Sequence, residues 1–344
     1  MKFKIIVILS VFLLTSCASK TYFTTLDILK PAVVTFPPEV KNVVIVNNST
    51  PQPYNEGHTL KSLFGTTSKL EIPFDSAGIF ITASFRDDLE NYNFFDKVTL
   101  SLTNQNLTND YESIHKLSPE RIKTLCIMFD SDAIISLDKV YITDHNEEFY
   151  TEYGSYGNET EVKVKTDWTL YYLDMKAHSV QFVDSFYWSS YDFDRKTASL
   201  NLPNRYNALV DASILLGSNT AERMVPRWEK EDRYFFAPKD SKMQQAMDSV
   251  PYLKWQQAIT LWEKAAETSK SNKIKYQAYN NIAVSYEIIG NFEKANIYAD
   301  KALETYLHTA NTSEKDGYTL VNYVQSISKR QDELKLLNKQ LGKE

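Results

Sequence analysis

The chain has 344 residues, 43% of them apolar and 24% charged, with a formal net charge of −6, long enough for about two domains with buried cores. The acidic balance argues against a nucleic-acid binder, which needs a basic face to neutralise phosphates. Nine glycines and five histidines form no G-x-x-x-x-G-K, G-x-G-x-x-G, G-x-S-x-G or H-E-x-x-H pattern, so no catalytic, cofactor-binding or metal residue is assigned and no cofactor is expected.

Residues 1–16 carry Lys2 and Lys4, an apolar run from Ile5 to Leu14, then small polar residues, the layout of a secretory signal. Ten helical residues span roughly 15 Å against a hydrocarbon core of about 30 Å, too short for a permanent anchor. "LTSC", ending at Cys17, resembles the bacterial lipobox. The resemblance implies cleavage before Cys17, lipidation of its sulfur, and stable anchoring by more than one acyl chain. The mature chain then has 328 residues, 36 basic and 44 acidic, a balance of −8. Ala18 after the cysteine, and no acidic cluster in Ser19, Lys20 and Thr21, resemble default sorting to the outer membrane, facing the periplasm. Cys126 is the other cysteine; with Ile122, Leu125 and Phe129 it falls on one helical face, a core position with no intramolecular disulfide partner.

Residues 17–40 read as a lipidated tether kept extended by Pro31, Pro37 and Pro38. Val43 to Val46 make a buried strand, followed by a long polar connection from Asn47 to Pro73. A helix capped by Ser76 runs to Asn91, and a strand spans Lys97 to Leu102. Ser118 caps the next helix with Pro119 at its first position, and "DAIISLDKVYI" is a strand. Asp130 and Asp132 read as turn formers beside it, not as carboxylates paired with Asp138. In "DHNEEFYTEYGSYGNE" Asp144, Asn146 and Glu148 alternate as in a calcium loop, but Phe149 stands where that loop requires glycine, so a solvated hairpin connection is expected. Val162, Val164, Thr166, Trp168, Leu170 and Tyr172 alternate with Glu161, Lys163, Lys165 and Asp167, a strand with one wet face. "HSVQFVDSFYWSS" is another strand. The helix after it places Tyr206, Val210, Ile214, Gly217 and Ala221 on one stripe. The order β, α, β, α, β, β, β, α over residues 41–225 predicts a mixed sheet with packed helices, in the α+β class. Its topology resembles the TolB amino-terminal and curli-secretion lipoprotein domain, with no diagnostic residue and no function carried over.

Residues 226–242 mix charge with Pro226 and Pro238 and read as a linker. Residues 243–344 turn to helix formers. "YQAYNNIAVSYEIIGNFEKANIYADKAL" resembles a tetratricopeptide repeat: Tyr279, Ile282, Ala283 and Tyr286 on a first helix, a turn at Gly290 and Asn291, then Phe292, Ala295 and Ala302. Trp255, Ala258, Trp262 and Ala265 repeat the second-helix pattern 37 residues earlier, and Asp316 to Leu341 reads as a third, degenerate helix pair. The family's groove-lining positions fall on Gln277, Asn280, Val284 and Glu287, the expected partner-binding residues. The alternative is an array that only packs against a neighbouring domain.

Taken whole, the chain resembles an uncharacterised family of Gram-negative envelope lipoproteins with a domain of unknown function followed by tetratricopeptide repeats. The resemblance implies a non-enzymatic outer-membrane lipoprotein acting as an interaction or assembly scaffold, its partner another envelope protein or a second copy. The competing expectation is an envelope hydrolase or glycan-binding protein using the aromatic-rich α/β domain.

Overall fold

The computed structural model describes residues 20–105, 110–173 and 175–343. The signal segment 1–16 and the lipidation position Cys17 lie outside the described residues. In chain order, β1 (Lys20–Lys30), β2 (Asn42–Asn47), β3 (His58–Lys61) and β4 (Thr67–Lys69) precede α1 (Ala77–Asn91), β5 (Lys97–Ser101) and α2 (Pro119–Phe129). Then come β6 (Ala133–Tyr150), β7 (Tyr156–Tyr172), β8 (His178–Asp192), α3 (Arg195–Leu200), α4 (Arg205–Met224) and β9 (Arg227–Ala237). The helices α5 (Ser241–Met247), α6 (Trp255–Thr268), α7 (Asn272–Ile288), α8 (Phe292–Leu307) and α9 (Glu314–Gln340) complete the chain. The described chain divides into two compact units, Leu29–Arg227 with the segment from Leu336, and residues 20–28 with Trp228–Lys335.

The first unit is built on a mixed sheet. β2 pairs in parallel with β5 and β6, β3 in parallel with β6, and β6, β7 and β8 form an antiparallel meander. Successive side chains of a strand face opposite ways, and β2 uses both directions for core. Val43 and Ile45 pack with Ile81 and Phe85 of α1, Leu209 and Leu216 of α4, and Trp168 of β7. Val44 and Val46 pack with Leu125 and Cys126 of α2, Ile134 and Tyr171. Both faces of the parallel strands are therefore covered by helix, as such strands require. Toward β8 the second face is open: Tyr187 and Tyr191 are exposed and donate to Glu161 and Glu159 at 2.7 and 2.6 Å.

Ser118 caps α2 by accepting from the Arg121 N–H at 3.2 Å, with Pro119 at the first turn. Cys126 is buried, and burial pushes its thiol up, with smaller effects from Ser131 and Asp132. Asp132 accepts the N–H groups of Lys41 and Asn42 at 2.9 and 2.8 Å, a backbone-holding role. The stretch from Asp144 does hold a hairpin, but a tighter one than expected: β6 continues through Asp144, Asn146 and Glu148 in unbroken register with β7, and the turn falls at residues 151–155. The stripe expected on α4 holds at Gly217 and Ala221, which are buried, but not at Tyr206 and Ile214, which are exposed while Ala208, Leu209, Ala212 and Leu216 are buried.

The second unit packs α5 to α8 and the first part of α9 as antiparallel neighbours around Ile259, Trp262, Ile282 and Ala283. Gly290, at φ +79, and Asn291, whose side chain accepts from the Lys294 N–H, make the turn between α7 and α8. A 3-10 turn at Val250–Tyr252 follows α5, so the helix before α6 is short. Three expectations are corrected here. Residues 226–242 are no linker, because β9 occupies most of them and pairs with β1. Residues 17–40 are no tether throughout, because β1 begins at Lys20. The tail is one helix of 27 residues instead of a pair; no glycine or proline stands between Tyr318 and Leu341 to break it.

Candidate functional sites

Two concave regions, one in each unit, carry clusters of polar side chains. In the helical unit, Gln277, Asn280, Val284 and Glu287 share one face of α7, as the 3.6-residue period dictates. They are 0%, 1%, 1% and 5% exposed, which corrects the expectation that they line an open groove. The chain's own β9 bonds Asn280 and Glu287, and Gln277 meets Asp316 of α9. Asn280 Nδ2 donates to the Tyr234 carbonyl at 2.9 Å, and its neighbour Asn281 brackets Phe236, accepting its N–H and donating to its carbonyl, both at 2.8 Å. Side-chain amides thus replace the neighbouring strand that β9 lacks on that side.

Apolar and charged contacts fix the same strand. The Phe235 ring stacks between Trp262 and Trp255, with centroids 5.7 and 6.2 Å away, and Phe236 meets the Tyr276 ring edge-on. Arg233 forks onto Glu287, Nε to Oε2 at 2.7 Å and Nη2 to Oε1 at 2.8 Å, and Nη2 also donates to Glu231 at 2.6 Å. Burial alone would lower the Arg233 pKa, but the Glu287 and Glu231 bonds and charges outweigh it and hold the guanidinium protonated. Burial, reinforced by the Glu287 charge, raises the Tyr323 phenol well above its ordinary value. Asn281, Arg233, Phe235 and Phe236 were not singled out by sequence; the alternation of Arg233 and Phe235 with Asp232 and Tyr234 in "DRYFFA" was a signal for the strand, and none marked Asn281. Beside the seated strand a groove of about 780 Å³ remains, bounded by Asp232, Tyr234, Tyr318, Asn322 and Ser326.

In the α/β unit, a cavity of about 200 Å³ opens where β2 and β5 end and α1 begins. Parallel strands and the helices that follow them leave such a crevice by topology. Its walls include Ile72, Phe74, Leu100, Val140 and Ile142. Ser76 makes no side-chain cap on α1, and Ile79 N and Phe80 N both bond its carbonyl, which leaves the Ala77 and Gly78 N–H groups at the cavity. A Cβ on Gly78 would lie 2.7 Å from Asn47 Nδ2 and Ser49 Oγ, so only glycine lets this pair approach the helix so closely. Asn47 Oδ1 accepts from the Ser49 N–H and hydroxyl at 3.1 and 2.7 Å.

The parallel register of β3 on β6 sets His58 opposite Asp144. Both side chains are buried, and His58 Nδ1 bonds Asp144 Oδ1. A carboxylate only accepts, so the proton sits on Nδ1 and the free position is Nε2. Among the described residues Nε2 has no partner. Arg205, at the start of α4, balances the carboxylate with Nε 3.2 Å from Asp144 Oδ2, an ion pair without hydrogen-bond alignment. At the rim, Tyr54 donates to Asp75 at 2.8 Å, and that bond raises the Tyr54 phenol.

Comparison with known proteins adds family membership but no activity. The model described as Domain of unknown function (DUF8603) matches residues 40–236, and that described as Domain of unknown function (DUF6340) matches residues 244–329. No curated protein matches the chain. Among solved structures, the chain is similar to protein XCC0632 from Xanthomonas campestris, of the DUF330 family, at 12% identity and a TM-score of 0.23, covering 56% of this chain and 94% of that one. It is also similar to lipoprotein GNA1162 from Neisseria meningitidis, at 17% identity and a TM-score of 0.22, covering 52% of this chain and 99% of that one.

Proposed function

Because the chain belongs to the DUF8603 family of unknown function, we propose from its own residues that it is a non-enzymatic lipoprotein, anchored through Cys17 in the outer membrane and facing the periplasm. It acts there as a protein-interaction or assembly scaffold. The helical unit is read as a tetratricopeptide-type array, and the α/β unit as kin to the TolB amino-terminal domain in topology alone. The observation that carries the scaffold reading is the amide-bonded seat of β9: α7 holds an extended backbone by Asn280 and Asn281, the way a peptide-binding array holds a partner. Its partner, an envelope protein or a second copy, uses the groove left beside β9, where Tyr318 is 71% exposed.

Photo-crosslinking amino acids at Tyr318 and Asn322 in intact cells test this. Discrete adducts from both, and none from Tyr187 on the open sheet face, are expected. Adducts from Tyr187 alone would move the interface to the α/β unit. For the anchor, Cys17→Ala is expected to leave uncleaved precursor without fatty-acid label, and equal labelling of variant and parent sinks the lipoprotein reading.

A second reading is favoured by the 200 Å³ cavity with His58 at its wall: the α/β unit binds a small ligand. It is compatible with a scaffold and requires no enzymatic turnover.

A further inference from the structure

The cavity at the ends of β2 and β5 asks for hydrogen-bonding groups of both kinds. The Ala77 and Gly78 N–H groups and Asn47 Nδ2 have no partner among the described residues and can only donate. His58 is 5% exposed, and in the neutral imidazole with Nδ1–H on Asp144, Nε2 accepts a hydrogen bond from whatever enters. A ligand filling this space therefore has to accept at one point and donate at another. A carboxylate or phosphate, which only accepts, leaves Nε2 unanswered.

Charge narrows the class further. No lysine or arginine lines the cavity, whereas Asp75 does. The α1 N-terminus alone is left to offset the desolvation of an anion, and the carboxylate at the rim repels one. The walls from Ile72, Phe74, Leu100, Val140 and Ile142 suit C–H surface and small apolar substituents. A volume of about 200 Å³ limits the occupant to one ring with its substituents.

We infer that the cavity binds a neutral hydroxylated ring, a single sugar residue carrying an apolar substituent such as an acetamido methyl. One hydroxyl donates to His58 Nε2, and a second oxygen accepts from the first turn of α1. Asp144 and Arg205 are positioning residues, holding the imidazole in the tautomer that accepts. The inference rests on the ligand-binding reading of the α/β unit and is independent of the scaffold reading.

Titration calorimetry and saturation-transfer NMR on the full chain, kept in a non-glycosidic detergent, test it with N-acetylglucosamine, methyl glucoside and benzoate as probes. N-acetylglucosamine is expected to bind more tightly than methyl glucoside, with benzoate silent. His58→Leu removes the accepting nitrogen together with the bond to Asp144, and is expected to weaken sugar binding at least tenfold. Thr82→Leu, which grows a wall residue into the space, is expected to abolish it. Since Thr82 Oγ1 bonds only carbonyls of its own helix, this variant keeps the test decisive even if the His58 variant loses its fold. Binding of benzoate without either sugar overturns the ligand class and leaves the ligand-binding reading standing. Silence of all three probes at 20 mM (roughly the weakest affinity, −2 to −3 kcal/mol, that such a pocket is worth having) overturns both. Equal sugar binding by parent and Thr82→Leu assigns the sugar to another place and overturns the inference.

Discussion

The two concave regions differ in what fills them. In the helical unit the concavity holds β9, and Asn280 Nδ2, both ends of the Asn281 amide and the Glu287 carboxylate are answered by that strand or its arginine, while Gln277 Oε1 and Asn280 Oδ1 are buried without a partner among the described residues. In the α/β unit none of the described residues fills the concavity, and a histidine nitrogen, two backbone N–H groups and an amide line it without partners among them. Buried polar groups are normally paired. A filled concavity is therefore part of the fold, and an unfilled one with oriented groups is available for a ligand. The same distinction holds for buried charge: Glu287 has Arg233, whereas Asp138 is buried with hydroxyl and amide partners alone.

The largest expected effect comes from breaking the filled site. Glu287→Ala strands Arg233 in a buried setting and is expected to destabilise the helical unit by about 3–5 kcal/mol in urea denaturation. Replacing both, Arg233→Met with Glu287→Leu, is expected to recover most of that loss. If the double variant is no better than the single, the pair is not what seats the strand. Next, Asn281→Ala frees both the N–H and the carbonyl of Phe236 in a buried place and is expected to cost on the order of 2–4 kcal/mol. Unchanged amide-exchange protection at Phe236 would mean that β9 is held by its rings alone.

Asp138 probes the other unit. Burial raises its pKa, against the Ser136 and Asn48 bonds that favour the charged form. A group raised in the folded state binds more protons folded than unfolded, so its contribution falls as pH rises from the ordinary carboxylate range through the raised value. Asp138→Asn keeps the accepting oxygen for Ser136 and Asn48 and is expected to gain of order 1 kcal/mol at neutral pH. The gain should vanish on acidification; urea midpoints for parent and variant across pH 4–8 (roughly the window that brackets carboxylate titration) check it, and a constant difference rejects the assignment. The smallest effect belongs to the unfilled site: Thr82→Leu is expected to shift stability by less than about 1 kcal/mol, because the space it enters is empty. A loss of several times that would show the cavity wall to be rigid.

Which parts of this were legible in the sequence follows from the range of the interactions. Val43 to Val46, the Ser118 and Pro119 start of α2 and the alternation of β7 are written in neighbouring residues, and the structure has them where the pattern puts them. β9 was hidden because its first half, "RWEKED", alternates exposed charge as a linker does. Its buried arginine makes sense only with Glu287, 54 residues away. His58 and Asp144 are 86 residues apart and meet through a parallel register that no local pattern announces. On α4 the expected stripe held at Gly217 and Ala221 and failed at Tyr206 and Ile214. Alanines and leucines took the crowded contact with α1, and the bulkier Tyr206 and Ile214 were turned outward.

The seating of β9 also has a consequence for the order in which the chain is made. Phe235 and Phe236 leave the ribosome ahead of everything that shelters them, and Asn281 follows Phe236 by 45 residues, a few seconds at about 5–20 residues per second. For that interval a strand with two adjacent phenylalanines and one unanswered edge stands in the open, a known hazard for sticking to other chains. β1 has been synthesised long before and can pair along one side at once. Wherever the chain folds, β1 can cover one edge of β9 before the helices form, and the other edge waits for α7.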